Sequence, residues 1–222
     1  MRAHIPSGGS SRSRSKENMP SDYLPKGTIS GPAFRADPIF RDVHGAASIP
    51  TAVLRSGRAA AVDAPYERYF VVGERGRVGA LIEEVRWRRK QFPGPWSELP
   101  GELLEGAVRV STFDLPPLPL LDTTTAAARR RFRLPANIVS DDGSDAAYRP
   151  FQRMVAVLRQ DWAHAILLPS AALPDVKTLL VPRPIALMLA APISSLKVDI
   201  PAEIIEHALG RRDLPPRYDL AL

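Results

Sequence analysis

A chain of 222 residues, 45% apolar and 24% charged, has the make-up of an ordinary globular protein, with room for one domain of about 200 residues or two small ones. It contains no cysteine, which excludes disulfides, thiolate metal sites and cysteine nucleophiles and fits a reducing cytoplasm. The net charge of +6 and pI near 10.0 permit attraction to phosphate-bearing partners, while 23 prolines favour short elements and rigid turns over long helices.

Residues 1 to 30 are rich in Ser, Gly, Arg and Pro and poor in large apolar groups, so the segment reads as a disordered tail. Arg2, Arg12, Arg14, Lys16 and Lys26 against Glu17 and Asp22 give it a net charge of +3. Its opening "MRAHIPSGGSSRSRSKENMP" lacks the apolar core of a signal peptide. Residues 31–222 form the single folded domain. "RYFVV" predicts a buried strand, and Val78, Leu81, Ile82 and Val85 recur at helical spacing, predicting a helix that runs to about Gln91 before "FPGPW" breaks it. "AVRVSTFDL" reads as a strand, with Pro116, Pro117 and Pro119 enforcing a turn after it. "DTTTAAARRRF" predicts a helix capped by Asp122 or Thr123. Phe151, Val155 and Leu158 mark a further amphipathic helix over about 147–160. "HAILLP" and "VKTLLVP" read as short strands around the loop "SAALPD". The apolar run "IALMLAAPI" covers nine residues, too few to span a bilayer. A last helix is predicted over Ala202–Leu209 with Gly210 as its stop. Strands and helices mix without regular alternation, so the class is α+β.

Gly73, Gly76 and Gly79 form G-x-x-G-x-x-G between a strand and a helix. A dinucleotide-binding turn needs G-x-G-x-x-G and a second buried strand ending in an acid, and "RWRRKQFPGPWSELPGELL" supplies no such strand. The glycines therefore read as a plain strand-to-helix connection. His4, His44, His164 and His207 are isolated, with no metal-ligand spacing, so no metal site is expected. Neither a nucleophile elbow nor a phosphate-binding P-loop is present. The arginines from Arg129 to Arg133 can contact phosphate, but without interleaved aromatics they read as a solvated helix face, and direct nucleic-acid binding is not expected.

The remaining constellation is legible only in its order along the chain: "AFRADP" with Arg35, "RSGRAAAVDAPYERYFVV" with Arg58 and Tyr69, and "ALIEEV" with Glu83 and Glu84. It continues in "VSTFDLPPLPLLDTTT" and in "YRPFQRMVAVLRQDWAHAILLPSAALPD", with Gln152 and Ser170. Over about residues 33 to 183 this resembles the RES-domain proteins, a toxin family named for an Arg, a Glu and a Ser. Ser-Gly-Arg-Ala-Ala stands where that family has Gly-Gly-Arg-Trp-Asn, and Asp122-Thr123-Thr124 where it has Asp-Leu-Thr. "A-L-x-E" selects Glu83 as the family glutamate and the following valine selects Glu84; we take Glu83.

The resemblance implies a compact fold akin to ADP-ribosyltransferases that binds NAD and breaks its nicotinamide–ribose bond. It implies a carboxylate, Glu83, stabilising the oxocarbenium-like ribose left by nicotinamide. Arg35 and Arg58 would pair with the pyrophosphate, Tyr69 would stack on the nicotinamide, Ser170 would bind carboxamide or ribose, and Glu84 would lie in the cofactor site. NAD is then the substrate and no metal takes part. The implied partner is a cognate helix-turn-helix antitoxin in the cytoplasm, with a homodimer inside that complex left open. Hydrolysis, phosphorolysis and transfer of ADP-ribose to a protein all remain open, as does a diverged, non-catalytic basic interaction protein.

Overall fold

The computed structural model describes residues 27–39, 66–89, 98–134, 149–154, 164–170, 172–182 and 191–218, together with positions 92, 95, 189 and 220. The elements in chain order are β1 (Gly27–Pro38), β2 (Tyr66–Val72), α1 (Gly76–Arg89), β3 (Ala107–Asp122), α2 (Ala126–Phe132), β4 (Ala165–Pro169), β5 (Lys177–Pro182), β6 (Ser194–Asp199) and α3 (Ala202–Ala208). A 3-10 turn at Gly101–Leu104 precedes β3, and residues 149–154 are helical. β1 starts inside the stretch assigned to the tail, so Gly27–Ser30 are strand.

Among the described residues the strands form one sheet, ordered β1-β2-β5-β4-β3-β6, and β1 also pairs with β3. That second pairing bends the sheet into a barrel-like ring, β1-β2-β5-β4-β3, with β6 added on β3 outside it. Among the ladders of the described residues, only β3–β4 is parallel. Period-2 alternation then divides the core. Ala33, Phe70, Val72, Phe113, Leu120, Leu167 and Leu179 share the ring's inner face, where Phe70 meets Phe113 edge-on with centroids 5.0 Å apart. Outside the ring, α1 and α3 cover Phe34, Val71, Val108 and Val110. On a third patch, Leu134, Phe151 and Met154 cover Ile166, Leu168 and Leu180, with Tyr69 and Phe132 at its margin.

β3 corrects the expectation of a turn at Pro116, Pro117 and Pro119: the strand runs unbroken for 16 residues. The reason lies in its partners. β6 pairs with β3 only over Ala107–Thr112 and β4 only from Leu120, so the proline stretch between them needs few ladder donors. On the other side β1 shifts register between Ile29 and Gly31, and Pro116 and Pro117 fall into that irregularity. The cap of α2 is also corrected. Thr125 accepts from Ala128 N at 3.1 Å, whereas Asp122 Oδ1 accepts from the Thr124 amide and hydroxyl, at 2.7 Å each. Gly210, at φ +72°, stops α3 as expected: its amide donates to His207 O and that of Arg211 to Glu206 O, both at 2.9 Å. The helix expected over 147–160 is seen in its described part, 149–154.

α1 explains the glycine loop. Gly73 sits at φ +121°, turning the chain out of β2, and Gly76 N donates to Gly73 O at 3.0 Å. A Cβ on Gly76 would lie 2.2 Å from Phe34 Cδ2. The glycine is there so that the helix can seat on the Phe34 ring. From that seat α1 buries Val78, Leu81, Ile82 and Val85, each worth on the order of 1.5–3 kcal/mol of burial. No helix among the described residues is long and apolar enough to cross a membrane.

Candidate functional site

Sequential glutamates on a helix point about 100° apart, so Glu83 and Glu84 cannot serve the same place. Glu84 is buried, and its Oε1 accepts from Arg88 Nε at 3.0 Å. Arg88 in turn donates to the carbonyls of Leu104 and Glu105, at 3.2 and 2.8 Å, tying α1 to the segment that leads into β3. Glu83 turns to the serine loop instead. Ser170 Oγ donates to Glu83 Oε1 at 2.9 Å.

Ser170 follows β4 directly and is 1% exposed. Its oxygen also accepts from the amide of Ala172 at 3.0 Å. This local turn leaves the hydroxyl proton for the carboxylate, so donor and acceptor roles are settled without ambiguity. The loop is braced at its far end by Asp175, which pairs with Arg75 from the glycine connection: Nε donates to Oδ2 at 2.7 Å and Nη2 to Oδ1 at 2.5 Å. The paired guanidinium holds the Asp175 carboxyl below its ordinary value, and the carboxylate raises that of Arg75. β4 is itself anchored by Thr123, which is fully buried and donates from Oγ1 and N to Leu167 O at 2.7 and 3.0 Å.

Tyr69 lies on the same outer side of the sheet. It pairs with Leu180, which pairs with Ile166, and all three belong to the outer patch beneath α2 and the 149–154 helix, Ile166 lying on β4 four residues before Ser170. It is half-buried. Arg35 is elsewhere. Alternation along β1 puts it on Ala33's side, opposite Phe34, and Asp37 occupies it with bonds from Nε (2.8 Å to each carboxylate oxygen) and Nη2 (2.7 Å). Arg58 lies outside the described residues. The structure thus joins Glu83 and Ser170, sets Tyr69 on their side of the sheet, and separates Glu84 and Arg35 from them. Arg75 and Asp175 have no motif in the sequence, since they meet across 100 residues; Thr123, read there as a cap and as part of the Asp122-Thr123-Thr124 turn, instead anchors β4.

Two further features bear on the site. Arg130 and Arg131 are exposed on α2 and Arg133 at its C-cap, and no residue of that helix is buried. A pocket of about 430 Å³ lies beside it, lined by Gly27, Leu120, Asp122, Arg131 and Phe132 among others, and takes in none of the sequence-predicted site residues. Among the described residues no group of three or more His, Asp or Glu is placed to hold a metal ion.

No family model and no curated protein matches the chain. Among solved structures it is similar to a chain of the M. tuberculosis MbcT–MbcA toxin–antitoxin complex, at 19% identity and a TM-score of 0.52, over 83% of this chain and 92% of that one. At that identity the likeness is one of fold: a mixed α+β domain with a small barrel-like sheet and few helices is common to this protein and to a member of a toxin–antitoxin complex.

Proposed function

We propose that this protein is a NAD-consuming toxin of the RES type, with an ADP-ribosyltransferase-like cleft, that breaks the nicotinamide–ribose bond at the Glu83–Ser170 pair. The observation carrying this reading is that one hydrogen bond joins a helix glutamate to a strand-end serine 87 residues away. The serine is the one that the order of motifs marks, and the glutamate is one of the two, Glu83 and Glu84, that it leaves open. The shared fold with a member of a toxin–antitoxin complex supports the reading at the level of architecture.

The chemistry suits the arrangement. As the C1′–N1 bond breaks, its electron pair leaves with neutral nicotinamide and positive charge grows on the ribose. Ser170 holds one oxygen of Glu83, and the other has no partner among the described residues, so it is free to accept from a ribose hydroxyl and face the developing charge. Tyr69 offers a ring on the same side of the sheet for nicotinamide. Arg58 and Arg35 are the guanidinium groups for the pyrophosphate; Arg35 brings its own Asp37, so its share in binding is the smaller. Glu84, committed to Arg88, serves the fold of α1. Water, phosphate or a protein nucleophile then captures the ribose. A helix-turn-helix antitoxin in the cytoplasm completes the reading.

The test is to mix purified protein with NAD, with and without phosphate, and follow free nicotinamide. Release that is lost in Glu83→Ala but kept in Glu84→Ala supports the proposal, and phosphate dependence separates phosphorolysis from hydrolysis. Absence of release from the wild type would overturn it. A second reading, a non-catalytic basic interaction protein, is favoured by the exposed arginines of α2. It requires steeply salt-dependent binding to nucleic acid.

A further inference from the structure

His207 stands on α3, and its imidazole reaches back into the loop that carries Ser170. Nε2 lies 3.2 Å from Ala172 O, 35 residues away. On the other side of the ring, Leu214 N approaches Nδ1 at 3.3 Å, and Arg212 O lies 3.1 Å from the same nitrogen. A carbonyl only accepts and a backbone amide only donates. The Ala172 carbonyl therefore needs a proton on Nε2, and the Leu214 amide needs the lone pair of Nδ1. The neutral Nε2–H tautomer meets both; a proton on Nδ1, in the Nδ1–H tautomer or the imidazolium, would serve Arg212 O and turn away the Leu214 amide.

Ala172 is the hinge of this arrangement. Its carbonyl takes the His207 proton, and its amide donates to Ser170 Oγ at 3.0 Å, leaving that hydroxyl's own proton for Glu83. The bonds run in sequence from the Leu214 amide through His207, Ala172 and Ser170 to the Glu83 carboxylate. The same C-terminal segment is pinned a second time by Arg75, whose Nη1 donates to Pro215 O at 3.3 Å while its other nitrogens hold Asp175 at the end of the serine loop. Leu214 and Tyr218 pack against the core beneath α1 and α3, so the segment has a fixed seat.

We infer that His207 is a positioning residue: by hydrogen-bonding the Ala172 carbonyl it fixes the turn that aims the Ser170 hydroxyl at Glu83, and so couples the 212–218 segment to the site. The effect on turnover rests on the function proposed above; the geometry does not. His207 hydrogen-bonds neither Ser170 nor Glu83 and acts through the backbone of Ala172, whose carbonyl and amide belong to successive peptide groups.

Three variants and two readouts test this. His207→Ala lowers kcat for nicotinamide release by about tenfold or more, with KM for NAD little changed, because a serine displaced by a fraction of an ångström misdirects the carboxylate without removing a binding group. His207→Gln restores most of the loss, since its amide offers a donor and an acceptor at similar reach; His207→Phe, which fills the space with neither, does not. Independently of turnover, nitrogen NMR of the wild-type ring at neutral pH shows the Nε2–H tautomer, and the Ala172 amide exchanges more slowly in wild type than in His207→Phe. Full turnover in His207→Ala, or failure of the glutamine to do better than the phenylalanine, overturns the inference. So does an Nδ1–H ring in the wild type, a result that stands even if His207→Ala fails to fold. If the wild type releases no nicotinamide, the NAD reading falls, and the tautomer and exchange measurements still decide the positioning role.

Discussion

Ser170 Oγ lies 2.9 Å from Glu83 Oε1, and the neighbouring Glu84 is spent on Arg88 at 3.0 Å. Adjacent glutamates therefore have separate tasks, and substitutions at the two should differ in kind. Glu83→Gln keeps the bond to Ser170 but removes the charge, and is expected to cut nicotinamide release by about 10²–10³-fold with little change in thermal stability. Glu84→Ala is expected to destabilise by about 1–3 kcal/mol, emptying a buried position and leaving the half-buried Arg88 guanidinium without its carboxylate, while the folded fraction retains activity. Parallel denaturation curves and rate measurements on both variants check the pair; loss of activity in the folded Glu84→Ala protein would reverse the assignment.

Gly76 touches the Phe34 ring so closely that a methyl group would overlap it, at 2.2 Å from Cδ2. Gly76→Ala should cost about 1–3 kcal/mol through forced displacement of α1. Because the clash is with one side chain, Phe34→Leu in the same chain should recover part of that loss. A double-mutant cycle measures it, and strict additivity of the two changes would contradict the close seating.

Arg75 and Asp175 close the serine loop onto the glycine connection. The folded-state value of Asp175 is lowered by Arg75, so the folded state binds this proton less readily than the unfolded chain. Its stabilising contribution is therefore complete above the unfolded value of about 4 and is lost as pH falls through the lower folded value. The carboxylate is 44% exposed, which limits the effect to at most about 1 kcal/mol. Melting curves of wild type and Asp175→Asn should differ at pH 7 and converge in acid; a difference that persists at pH 2 would contradict the pair as its source.

Phe70 and Phe113 meet inside the strand ring at 5.0 Å between centroids, both essentially inaccessible. Phe113→Ala should cost about 3–5 kcal/mol, as for other large-to-small changes in a packed core. Phe132→Ala, at the half-buried margin of the outer patch, should cost clearly less. Urea unfolding of both variants checks the ranking, and equal losses would mean that the ring interior is not the tighter core.

The elements read correctly from the sequence share one property: their period is local. α1 shows its buried stripe in Val78, Leu81, Ile82 and Val85, and β2, β4 and β5 are short runs of branched and aromatic residues. β6 was missed because "SSLKVD" is exposed at nearly every position; only pairing with β3 makes it a strand. The second half of β3 is not legible in the sequence, because prolines suit a turn and an unpaired strand edge alike and only the pairing of β4 and β6 shows which applies. Asp122, Thr123 and Thr125 all suit the cap of α2 by residue type, and only the direction of the backbone chooses Thr125. The candidate site was legible as an ordered set of residue types, but the sequence does not show that Glu83 and Ser170 meet.

What the sequence determined by itself was the inventory: no cysteine chemistry, an amphipathic helix bearing two adjacent carboxylates, a serine at the end of a buried strand, and glycines in a spacing unsuited to a dinucleotide. These follow from composition and local period, which the chain carries whatever its fold. The tertiary structure decided which carboxylate meets the serine, that the glycines serve the approach of α1 to Phe34, that Arg35 is held by Asp37, and that His207 reaches the serine loop from the C-terminal helix. Glu83 with Ser170, Gly76 with Phe34 and His207 with Ala172 join groups far apart in the chain, through a helix rotation of about 100° per residue and the packing of elements on the sheet. No local pattern encodes such meetings; Arg35 and Asp37, two residues apart on one face of β1, are the local exception.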